Sequence, residues 1–207
     1  DISVSAMAFE SHNAARDAVD SLKQLDTCLL EYIDATLFDQ ALERGKKYAF
    51  YNDASDKGKV AVVLLVGFDE INEHRRQKKQ KKLAKLMNEQ ALYVLSSRNK
   101  AESEELLALR DVSHIATHPD GPGQTAPPLV DGAYVPFGRF EDFMIALSEF
   151  AAKHHIEVPL YGSVLDNIYY IRPALQLHKV GDKQKIFKII DDYAKLVASH
   201  SGHLIGE

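Results

Sequence analysis

Apolar residues along this chain switch between two periods, and the switches predict its elements. Positions 2–9 alternate, with Ile2, Val4, Ala6 and Ala8 set against Ser3, Ser5 and Met7, and read as a strand. Ser11 then caps a helix whose inward face is Ala14, Ala15, Ala18, Val19 and Leu22. A strand over 27–33 and a short helix over 35–42 follow. Residues 45–59 are rich in Gly, Lys, Asn, Asp and Ser and read as a loop or hairpin tip. The β-branched run 60–68 reads as a buried strand, 70–89 as a long helix and 91–95 as a strand. A helix over 102–112 carries Leu106, Leu107, Leu109 and Val112. Between 118 and 128, four Pro and two Gly interrupt all periodicity and mark a loop. Beyond it the outline repeats: a strand over 133–137, an amphipathic helix over 140–154, strands over 156–162 and 168–175, a helix over 182–199, and a last strand opening at Leu204-Ile205.

Each half thus reads strand–helix–strand twice, the order of a split βαβ, ferredoxin-like unit. The predicted class is α+β: duplicated ferredoxin-like units forming a large antiparallel sheet with helices on one face. The predicted boundaries are a first unit with its following helix at 1–118, a Pro/Gly-rich loop at 119–130 and a second unit at 131–207. The chain enters an apolar run directly at Asp1 and stops at Glu207 just after a strand begins, so it is expected to be an excised piece of a larger protein.

Composition narrows the classes. With 45% hydrophobic and 27% charged residues the chain has the makings of a packed core, which excludes wholesale disorder. No apolar run approaches the ~20 residues that span a bilayer. A single cysteine, Cys28, excludes a disulfide framework, and its place in a predicted strand makes it a buried thiol. Cytoplasmic residence is the expectation, with a membrane-peripheral location as its variant.

The net charge of −5 is unevenly spread: residues 70–90 carry seven Lys or Arg against three Glu, a local +4 on an otherwise acidic chain. Such a helix reads as a solvated face or as a contact for an acidic partner or anionic lipid. No aromatic residue is interleaved for base stacking, so nucleic acid is not an expected partner. The nine histidines form no ligand set by spacing: His114 and His118 straddle a helix end, His154 and His155 are adjacent, and His200 and His203 flank a Gly. Neither a Gly-x-Ser-x-Gly elbow nor a Gly-rich phosphate cradle is present.

The richest stretch is 158–173, where a strand runs into Tyr161-Gly162-Ser163, a polar turn follows at Asp166-Asn167, and a second strand leaves through Tyr169-Tyr170-Ile171-Arg172. On residues alone it is a tight hairpin with an Asx turn, ending in a guanidinium suited to a carboxylate. Three other segments add to it: Asp131-Gly132-Ala133-Tyr134-Val135-Pro136 before Arg139-Phe140, Leu106-Leu107-Ala108-Leu109-Arg110, and Ser201-Gly202-His203-Leu204-Ile205-Gly206-Glu207. Taken in order, these resemble the C-terminal cap domain of FAD-linked oxidases, the D-lactate dehydrogenase and glycolate oxidase-like family.

The resemblance implies half of an oxidoreductase. A separate domain would bind FAD, and the cap would close over a D-2-hydroxy acid, with D-lactate the first expectation and a quinone or cytochrome as electron acceptor. It places Arg110 and Arg172 as substrate carboxylate partners, with Glu207, Tyr170 and His114 beside them, and Asp166 and Asn167 toward the cofactor. No catalytic base is expected within the chain, because the family's base follows the residue matching Glu207; the isolated chain is expected to be inactive. The family's two metal-binding histidines are Ser163 and Tyr170 here, so no metal is expected: a hydroxyl and a phenol do not replace two imidazoles. The alternative expectation is a non-catalytic ferredoxin-like module that uses the basic helix 70–90 as its contact surface.

Overall fold

A computed structural model describes residues 2–116, 132–171, 173 and 180–205. The chain divides into two units, Asp1–Val112 and Ser113–Glu207. The first contains β1 (Ser3–Phe9), α1 (His12–Lys23), β2 (Leu29–Asp34), α2 (Ala35–Glu43), α3 (Ala49–Ser55), β3 (Val62–Phe68), α4 (Glu73–Met87), β4 (Tyr93–Ser96) and α5 (Lys100–Leu107), which passes through a 3₁₀ turn, Ala108–Asp111, into α6 (Val112–Ala116). The second contains β5 (Gly132–Tyr134), α7 (Phe140–His154), β6 (Leu160–Ser163), β7 (Ile168–Ile171), α8 (Val180–Ser199) and β8 (His203–Ile205).

In the first unit the strand order is β4-β1-β3-β2 and every pair is antiparallel. β3 is a continuous apolar run, Val-Val-Leu-Leu-Val-Gly-Phe, and all seven residues are buried, as expected of a strand covered on both faces. It inserts between the parallel pair β1 and β2, while β1 inserts between β3 and β4; these are the two split crossovers of a ferredoxin-like unit. In the second unit the order β6-β7-β5-β8 is the same pattern, with β5, β6, β7 and β8 in the places of β1 to β4. The α+β class and the antiparallel strands of the sequence-based reading are as predicted.

Capping residues explain where the helices begin. Ser11 accepts from the Ala14 amide at 3.1 Å, Asp34 from Thr36 at 2.9 Å, Asn72 from His74 at 2.9 Å and Asn99 from Glu102 at 3.0 Å. The crossover helices α1 and α4 share one face of the first sheet. His12 reaches Tyr32 and Arg76 reaches Ser3, and the register puts Ser3 and Tyr32 on the same side. The opposite side is covered as well: Phe50 of α3 stacks on Tyr93, and Arg110 pairs with Glu31.

Two sequence-based expectations are corrected. Residues 45–59 are not a bare loop, because Ala49–Ser55 is helical and buries Phe50, Tyr51 and Ala54. The polar composition hid this, since the helix is held by tertiary contacts: Tyr51 stacks on Phe38 at 4.6 Å and donates to Asp39 at 2.7 Å. Cys28 lies before β2 begins and is exposed. Partial desolvation, and then the Asp69 carboxylate, nonetheless push its thiol above the usual range.

In the second unit Asp192 of α8 ties α8 to the end of α7, accepting from Lys153 at 2.7 Å and lying 3.0 Å from Nε2 of the nearly buried His154. The hydrogen bond from Lys153, then its charge and His154, hold the Asp192 carboxyl below the usual aspartate range. A depressed folded-state value means that this contribution is complete above the unfolded value and is lost as pH falls through the folded one. Asp192→Asn should therefore lower thermal stability near pH 6, with the gap from wild type closing on acidification toward pH 2. Melts across that range check it. A second pair of variants reads the packing of the hairpin. A Cβ on Gly162 would collide with the Ile168 carbonyl, whereas one on Gly138 meets nothing within 4 Å. Gly162→Ala should cost about 3 kcal/mol by denaturant titration and Gly138→Ala less than about 0.5 kcal/mol.

Candidate functional site

The second sheet has two unlike faces. Alternation along β6 and β7 buries Leu160, Gly162, Tyr169 and Ile171, and leaves Tyr161, Ser163, Ile168 and Tyr170 part-exposed. Tyr169 packs flat on Phe140 of α7, centroids 4.7 Å apart, so the buried set faces the helices. The other set makes an open face. On it Tyr161 and Tyr170 pair across the strands and stack at 4.8 Å and 15°. Tyr134 and His203 pair across β5 and β8 and stack at 5.0 Å. Gly132 lies beneath Tyr170, where a Cβ would come within 3.0 Å of the ring; the missing side chain is what lets the phenol lie close to the sheet.

The hairpin that carries this face is locked at its turn. Asn167 sits in the left-handed region at φ 58°, a conformation Asn tolerates. Its Oδ1 accepts from the Phe137 amide at 3.0 Å and its carbonyl accepts from the Val135 amide at 2.9 Å. The turn is thereby pinned to the segment that leaves β5. Ser163 donates to Asp166 at 2.5 Å.

The structure distributes the sequence-predicted residues as follows. Tyr170 and Ser163, the positions of the resembled family's histidines, share the open face. Ser163 is engaged with Asp166, and among the described residues no group of three or more His, Cys, Asp or Glu side chains is placed to hold a metal. Asp166 and Asn167 occupy the turn, with the bonds just given. Arg110 stands in the first unit, half-exposed, its Nη2 2.8 Å from Oε1 of the nearly buried Glu31. His114 is exposed on α6. Arg172 and Glu207 lie outside the described residues. Sequence reasoning passed over Tyr161, Tyr134 and His203. The signal was present in the period-two placement of Tyr161 and Tyr170 on facing strands, which puts them on one side whenever Gly162 and Tyr169 go to the other.

A family model described as "FAD linked oxidases, C-terminal domain" matches residues 1–207. The chain belongs to that family. Membership implies FAD as the cofactor, bound mainly by another domain. This FAD-linked oxidase C-terminal domain matches no curated protein in sequence. Among solved structures it is similar in fold to an alkyldihydroxyacetonephosphate synthase (TM-score 0.66, 13% identity, 99% of this chain against 40% of that one). It is also similar to the 4-ethylphenol oxidase of Gulosibacter chungangensis (TM-score 0.65, 8% identity, 98% against 45%). A third is a p-cresol methylhydroxylase with substrate bound (TM-score 0.65, 8% identity, 98% against 44%). The domain spans less than half the length of each of these chains.

The Asn167 clamp can be measured apart from chemistry. Asn167→Gly keeps access to positive φ and loses only the side-chain acceptor, while Asn167→Ala also adds backbone strain. Losses of about 1 and about 2 kcal/mol respectively are expected in equilibrium unfolding.

Proposed function

We propose that this domain is the substrate-side cap of an FAD-dependent oxidoreductase and that the open face of the second sheet is turned to the reacting partners. The carrying observation is the stacked tyrosine pair Tyr161–Tyr170, part-exposed on the strands where the resembled family places its substrate-binding motif. The face fits a flat, largely apolar ring system: its described strand side chains are tyrosines, a histidine, a serine and isoleucines, and the carboxylate beside them, Asp166 in the turn, is engaged by Ser163. FAD, when bound, supplies the two-electron acceptor. Tyr161, Tyr170 and Tyr134 are the groups the cap offers toward it and toward substrate, excluding water and fixing the reacting carbon.

The proposed substrate is a D-2-hydroxy acid, D-lactate first. Its carboxylate needs a cation. Arg110 is already paired with Glu31, so Arg172, two residues beyond Tyr170, is the primary partner in this reading and Arg110 the secondary one. The aromatic lining supports a second reading, a phenolic or other aromatic substrate held between rings.

One experiment separates these. The visible spectrum of the intact flavoprotein is recorded anaerobically, before and after D-lactate and, separately, a 4-alkylphenol. Bleaching by D-lactate is expected, with Arg172→Ala lowering kcat/KM by about ten- to a hundredfold. Bleaching by the phenol alone moves the assignment to the second reading. A flavin band unmoved by either rejects both substrates, and a protein without a flavin band rejects the oxidoreductase role.

A further inference from the structure

The seven cations of the basic stretch do not share one fate. Arg76 turns inward: it is 9% exposed, donates to Ser3 Oγ at 3.2 Å and also bonds the Glu70 and Ile71 carbonyls. Lys79 is paired with Glu70 at 2.7 Å and with Asp26 at 3.1 Å. Arg75, Lys78, Lys81, Lys82 and Lys85 are exposed, and none makes an ion pair or side-chain hydrogen bond among the described residues. At 100° per residue these five fall within about 120° of the helix circumference. The centre of that arc lies opposite the buried side made by Arg76, Gln80, Leu83 and Met87. They form one cationic stripe about 15 Å long.

A helix face that merely meets water usually interleaves acids with its bases. Here the one acid of α4, Glu73, lies off the stripe and accepts from Gln77 at 3.0 Å. Lys78 and Lys82, and Lys81 and Lys85, are like-charge neighbours at i,i+4, an arrangement that costs helix stability until an anionic surface approaches. One exposed apolar side chain of α4 borders the stripe: Leu86, 38% exposed and one turn on from Lys82. With a net charge of −5 on the chain, this local concentration of cations biases the orientation in which an anionic surface is met.

We propose that α4 is a peripheral docking surface for an anionic lipid bilayer, its five free cations on the headgroups and Leu86 inserted between them. The apolar border favours a bilayer over a nucleic acid, whose bases would need stacking rings that α4 lacks. This assignment is independent of the substrate.

The test is sedimentation of the intact flavoprotein with vesicles of 70:30 phosphatidylcholine:phosphatidylserine and of phosphatidylcholine alone, at low and moderate salt. Binding only to the serine lipid is expected, at least tenfold weaker at 300 mM than at 50 mM salt. The variant Lys78→Glu/Lys82→Glu should lose at least twentyfold, about fivefold or more per reversed charge. Lys46→Glu/Lys47→Glu, which changes the net charge equally in an exposed loop, should keep wild-type binding. Leu86→Ser should weaken binding several-fold with an unchanged salt dependence. Absence of serine-lipid binding, or equal losses in both double variants, would overturn the proposal. So would tighter stripe-dependent binding to a 20-nucleotide RNA or to polyglutamate than to the vesicles.

Discussion

In the second unit the ring of Tyr169 lies on that of Phe140, and this contact decides which side of a four-stranded sheet is inside. Side chains alternate along a strand, so once Tyr169 goes to the helices, Gly162 and Leu160 must follow and Tyr161 and Tyr170 cannot. Burial of the Tyr169 ring is favourable by a few kcal/mol. The arrangement has a cost, because its hydroxyl has no hydrogen-bond partner among the described residues, nor has that of Tyr193, and burial raises both phenols far above the usual range. The open aromatic face is thus the complement of a packing decision made on the other side of the sheet.

The two units share a strand order and differ in how they are covered. In the first, crossover helices occupy one face, while α3 and the turn carrying Arg110 occupy the other, so that β3 is wholly buried. In the second, the described helix contact falls on the face of Tyr169, and the side chains on the face of Tyr170 are part-exposed. A sheet covered on both sides serves as scaffold, and a part-exposed face can meet a ligand. Glu31 illustrates the difference: a carboxylate this shielded in the first unit needs a cation, and Arg110 supplies it.

Most of the architecture was legible in the sequence because its signals were local. The run Val62 to Phe68, the cap at Ser11 and the amphipathic period from Phe140 to His154 each specify an element without help from elsewhere. The helix Ala49–Ser55 was not legible, because its stability comes from rings on Phe38 and Tyr93 that are distant in sequence. The site was half legible. Tyr170 and the hairpin could be named from the chain, and the turn residues Asp166 and Asn167 stood out as polar. What they do depends on a hydrogen bond from Phe137, thirty residues away, which no spacing rule encodes.

One edge strand in each unit, β4 in the first and β8 in the second, is short, four and three residues. Just past β4, Ser97 is gathered in by Gln80, which donates to its carbonyl at 3.1 Å and to that of Val4 at 3.2 Å, and Arg98 follows at once. A long, flat, bare edge is where β-proteins add strands from one another and precipitate. By tucking the end of β4 under a carboxamide, the first unit withholds such a template at that edge, even though its central strand is a wholly apolar, valine-rich run.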